Sequence, residues 1–192
     1  AADGERPRIG FVRTPVWHQG SETARQAIQT LAAHIGAREL ALPPLFDEAV
    51  DVHSIIMARD IAASFAEDYG TSAARMSQPL RDLIERGTGI TDALYREAVV
   101  KRHAMRSALS DLLGDYDCVL TPAAIDEAPL GYNPTGSPVF CTLWTLCGAP
   151  AISLPLLKGS SGLPLGVQVV GAPMEDARLL RCARWLEREF LK

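Results

Sequence analysis

The 192-residue sequence predicts an α/β fold, a layered mixed β-sheet flanked by helices. Three observations carry that expectation. Short apolar runs alternate along the chain with stretches whose apolar residues recur at helical spacing. The first run, the helix after it and the second run make a strand, helix, strand unit, the pattern of a parallel pair with a right-handed crossover. Near the end, two runs joined by a Gly/Ser-rich connection read as an antiparallel hairpin.

Taken in order, RIGFV at residues 8–12 reads as a buried strand. Ser21 caps a helix with Ala24, Ile28, Leu31, Ala32 and Ile35 on one stripe, and Gly36 closes it. Residues 38–42 offer a second strand before Pro43 and Pro44. Residues 47–69 read as one helix with Ile55, Ala58, Ala62, Phe65 and Tyr69 buried. A short helix over residues 78–86 ends at Gly87, and Thr91 caps a long one carrying Leu94, Ala98, Met105, Leu109 and Leu112, terminated by Gly114. YDCVLT at 116–121 is a buried strand stopped by Pro122; a loop through Pro129, Gly131, Pro134 and Gly136 follows. Residues 139–146 form a helix, 151–156 and 163–171 the hairpin, and Asp176 opens a last helix burying Leu179, Ala183, Leu186 and Phe190. With no repeat or linker, residues 1–192 are expected to form a single unit.

Composition narrows the function classes. The chain is 47% hydrophobic and 22% charged, with no low-complexity tract and no apolar run near the roughly 20 residues that span a bilayer, so no membrane partner is expected. Net charge is −4, and the 16 arginines and three lysines are scattered, which argues against direct nucleic-acid binding. Four cysteines without a CxxC pair read as reduced thiols of a cytoplasmic protein. AADGERPR has no charged n-region followed by an apolar h-region, so it does not read as a signal peptide.

Chemistry enters with four blocks: YDCVLTPAAIDEAPLG, WTLCGAPAISLP, GLPLGVQVVG and EDARLL. In this order they resemble consecutive blocks of the amidase-signature family. Tyr95, Ala98 and Arg102 match a pattern on one of its helices. The resemblance implies the C-terminal part of the amidase-signature fold, and an enzyme that hydrolyses a carboxamide to an acid plus ammonia or an amine. In that family a neutral lysine acts through a second, cis-peptide serine on a nucleophilic serine, and backbone N–H groups hold the oxyanion. An acyl-enzyme forms, and no cofactor or metal is needed.

All three catalytic residues are expected ahead of Ala1, so the chain alone is expected to be inactive and its catalytic set here is empty. The resemblance places the loop GYNPTGSPVFCTLWTLCGAP, before the proline-rich strand, at the acyl or leaving-group pocket. Tyr132, Phe140 and Trp144 are its expected walls, and Thr135, Thr142 and Thr145 its expected polar contacts, although relatives commonly carry asparagine where Thr145 stands. The loop composition suggests an aromatic or mid-sized apolar group on the small amide substrate. Expected partners are the N-terminal half of the same enzyme or a second copy, since a divided sheet exposes an edge and a face. A non-catalytic scaffold, and part of the A subunit of a tRNA-dependent amidotransferase, are the alternatives.

Other chemistry-bearing residues read as structural. Lys158 to Gly162 mimic a catalytic Ser-Gly loop but sit between two strands, as a hairpin connection. Lys101, Lys158 and Lys192 lack the apolar setting of a neutral base. His18, His34, His53 and His103 have no metal-ligand spacing, Asp60 and Glu67 share a solvated helix face, and no GxGxxG follows Gly10.

Overall fold

A computed structural model describes residues 5–131 and 135–190. Five strands form one mixed sheet: β1 (Ile9–Val12), β2 (Arg38–Leu40), β3 (Cys118–Pro122), β4 (Ala151–Lys158) and β5 (Pro164–Val170), in the spatial order β2-β1-β3-β5-β4. β1 runs parallel to both β2 and β3, whereas β5 runs antiparallel to β3 and β4. The α/β class, the parallel first pair and the terminal hairpin are as the sequence implies.

Strand alternation divides the apolar residues between two faces. Ile9 and Phe11 of β1, Cys118 and Leu120 of β3 and Val167 and Val169 of β5 meet α1 (Glu22–Ile35) and α7 (Asp176–Phe190). Val12, Val119 and Val170 face the opposite layer, made by α2 (Ala49–Ser64), α5 (Asp92–Leu113) and α6 (Val139–Cys147). Each fully buried Leu, Ile or Phe contributes about 1.5–3 kcal/mol, so the two clusters hold the layers together. Among the described residues no helix is long and apolar enough to cross a membrane.

Helix α1 forms where local signals agree: the Ser21 side chain accepts the Ala24 N–H at 3.0 Å, and Gly36 ends the helix in the left-handed conformation. All five residues of its expected stripe are buried. Thr91 caps α5 in the same way, accepting from Leu94 N at 3.3 Å. Leu94 itself is exposed and Leu113 is buried instead.

The segment 47–69 departs from one continuous helix. Phe65, at φ −102° and ψ 11°, separates α2 from α3 (Ala66–Ser72), and no residue of α3 is buried. The buried side of α2 is Ala49, Val52, Ile56, Ala58 and Ala62, because α4 (Gln78–Thr88), α5 and α6 all pack against this helix. Gly87 lies inside α4 and is buried, with Gly89 as the cap. It marks a helix crossing, not a helix end.

Candidate functional site

The cleft opens where the strand after α5 emerges from the core. Pairing places Thr121 of β3 opposite Gln168 of β5, and Gln168 opposite Ser153 of β4. Directly opposed residues share a face, so three polar side chains form a row across three strands. Gly166 continues that face. α6 supplies Cys141 above it: Gln168 Nε2 donates to Cys141 Sγ at 3.6 Å, and Cys141 Sγ donates to the Ala123 carbonyl at 3.7 Å.

Over this floor lies a cavity of about 960 Å³, walled by residues 123–130, by residues 135–138 and by Ser161 and Pro164 of the hairpin. Pro129, Leu130 and Pro138 make part of the rim apolar. Thr121 Oγ1 and Gln168 Oε1 are buried without a partner among the described residues. An unmatched buried polar atom costs about 1–3 kcal/mol, which ordinary core packing does not tolerate without a reason. The arrangement suits a ligand with polar and apolar parts.

The expected pocket residues are not brought together. Thr135 lines the cleft. Phe140 is fully buried beside Thr14, Val16, Ala49 and Leu143, and Trp144 is buried in the helical core, its Nε1 without a partner among the described residues. Thr142 is half-buried on α6. Thr145 lines a separate cavity of about 280 Å³ with His53, Met57, Asp60 and Arg102. There burial lowers the His53 pKa, and Tyr95 donates to Asp60 Oδ1 at 2.7 Å, which raises the Tyr95 pKa. Tyr132 lies outside the described residues.

Gln168, Ser153, Thr121, Cys141 and Glu127 are the residues that sequence reasoning passed over. Gln168, Thr121 and Ser153 each carried a signal as polar residues inside apolar strands.

The residues that imitate a catalytic set are occupied otherwise. Residues 159–163 connect β4 to β5 through Gly159 N to Leu163 O at 2.9 Å and Gly162 N to Gly159 O at 3.0 Å. Lys101 bonds Glu48 at 2.6 Å and Glu97 at 3.1 Å; these carboxylates raise its pKa and hold it protonated. Lys158 is exposed at the end of β4, and Lys192 lies outside the described residues. Among the described residues lining the cleft none is lysine or histidine, and no group of three metal-ligating side chains occurs among the described residues.

A profile of the Amidase family matches residues 2–180. The A subunit of glutamyl-tRNA(Gln) amidotransferase from Ruminiclostridium cellulolyticum is 30% identical over 138 residues, 68% of this chain and 28% of its own length. Fatty-acid amide hydrolase 2 of Homo sapiens is 31% identical over 111 residues, 56% of this chain and 21% of its own. A crystal structure described as an amidase superposes with a TM-score of 0.86 and 26% identity, over 99% of this chain and 47% of that one. The chain thus spans less than a third of these curated relatives and about half of that amidase.

Proposed function

We propose, from the premise that this chain belongs to the amidase family, that its cleft is one wall of the active site of a serine-dependent carboxamide hydrolase. The substrate is a small amide, cleaved through an acyl-enzyme to an acid plus ammonia or an amine. The nucleophilic serine, the relay serine and the lysine base come from a polypeptide segment other than the described residues, and the chain alone turns over no amide.

One observation carries this reading: a polar-floored cleft faces solvent with serines on its walls and no lysine or histidine among its described lining residues. A serine hydroxyl attacks a carbonyl only if a nearby group accepts its proton. Lys101 is held protonated by two carboxylates, so it cannot be the neutral lysine required. What the chain contributes is shape and hydrogen bonding. Thr135 and the floor of Ser153 and Gln168 meet the polar part of the amide, while Pro129, Leu130 and Pro138 meet its apolar part. Phe140 and Trp144 act from beneath, holding α6 and hence Cys141 in place.

Reconstitution tests this. The chain is produced with the segment encoded upstream of it, and carboxamide hydrolysis is measured; activity that requires both parts is expected. A complex that forms with an upstream segment bearing the serines and lysine, yet hydrolyses nothing, overturns the reading in favour of a binding scaffold.

The A-subunit relative favours a second reading, in which the assembled enzyme releases ammonia for a tRNA-dependent amidotransferase. With net charge −4 and scattered arginines, this chain would leave RNA contact to another subunit. Co-purification with such a subunit, and glutamine as the preferred amide, distinguish it.

A further inference from the structure

We infer that Glu127 is a positioning residue of the cleft: from the loop after β3 it holds the tip of the β4–β5 hairpin, and this one carboxylate sets the cleft mouth. Glu127 Oε1 accepts from Ser161 N at 2.9 Å and from Ser160 Oγ at 3.4 Å, and Oε2 accepts from Leu163 N at 3.2 Å. The three donors belong to neighbouring residues 33 to 36 positions further along the chain. An ionised carboxylate only accepts and these groups all donate, so the match is complete in sign.

Both sides of the clasp belong to the cleft, with Asp126 and Glu127 on one wall and Ser161 and Pro164 on the other. Nothing else anchors the tip by burial, because residues 160–164 are all exposed. The turn contributes only the two backbone bonds within residues 159–163. Gly159 fits the same purpose: a Cβ there would stand 2.3 Å from Glu127 Oε2, so the carboxylate occupies the space any side chain would need. The two serines that imitate a nucleophilic loop are thus the receiving side of a clasp.

Residue-resolved amide hydrogen exchange on the 192-residue chain tests the clasp without any assumption about activity. In Glu127→Ala the Ser161 and Leu163 amides should exchange at least about tenfold faster, while the amides of α1 stay as they are. Glu127→Gln retains one acceptor oxygen and should preserve protection at one of the two amides. Gly159→Ala, made from the opposite side, should release the same pair. Unchanged protection at both amides in Glu127→Ala overturns the inference.

The kinetic arm rests on the amidase reading. In the reconstituted enzyme Glu127→Ala should raise KM several-fold with kcat within about twofold, and Glu127→Gln should recover part of the loss. A fall in kcat at unchanged KM contradicts a positioning role. Absence of amide hydrolysis in the parent enzyme counts against the amidase reading alone, since the exchange result stands by itself.

Discussion

A methyl group at Gly87 would stand 1.9 Å from the carbonyl oxygen of Ala58 and 2.8 Å from Ala62 Cβ. α4 therefore crosses α2 with backbone against backbone. In an open helix Gly→Ala is favourable by about 1 kcal/mol. Here Gly87→Ala is expected to destabilise by about 1–3 kcal/mol, because the helices must separate. Urea unfolding checks this, and an unchanged midpoint would contradict the crossing.

Cys141 is half-buried and lines the cleft, whereas Cys118, Cys147 and Cys182 are buried. Native treatment with iodoacetamide should add one carbamidomethyl group, located by peptide mass at Cys141 and absent in Cys141→Ser. Burial pushes the Cys147 thiol up to about 12, so it should label only after unfolding. A first adduct on any of the buried three contradicts the placement.

Asp117 is 5% exposed and accepts the Arg8 N–H at 2.8 Å, with Arg8 and Arg178 guanidinium groups nearby. Burial pushes its pKa up, but the Arg8 N–H and nearby positive charge, that of Arg8 included, outweigh it and hold the carboxyl below its usual value. A folded pKa below the unfolded one gives stability that is present above about pH 3.9 and is lost as pH falls through the folded value. Asp117→Asn should cost about 1.5–3 kcal/mol at pH 7 and flatten the acid limb of the stability curve. An acid limb identical to that of the parent would remove Asp117 as its source.

Among the described residues Gln168 Oε1 and Thr121 Oγ1 have no hydrogen-bond partner beneath the cleft. Gln168→Met, similar in shape, should leave thermal unfolding unchanged or raise stability by up to about 1 kcal/mol. In the reconstituted amidase it should weaken substrate binding. A large loss of stability would make Gln168 a structural residue.

Much of the scaffold was legible because its determinants are local. Ser21, the stripe from Ala24 to Ile35 and Gly36 all lie within sixteen residues, and each acts as its type predicts. Gly87 was misread because a glycine near a helix end and one at a helix crossing look alike until the partner, Ala58, is known. The polar row was hidden for a related reason: Thr121, Ser153 and Gln168 meet only through strand register, to which no local pattern points. Phe140 and Trp144 were expected in the pocket, but α6 is apolar around most of its circumference, and its aromatic residues fill the core.

The proposed role of these residues is to shape an amide-binding cleft, with the groups that drive the chemistry supplied from outside the described residues. Its most direct measurement is ammonia release from a panel of carboxamides by the purified 192-residue chain, with Ser161→Ala in parallel. Release no faster than the buffer blank is expected for both proteins. Hydrolysis by the unaccompanied chain that disappears in Ser161→Ala would contradict it.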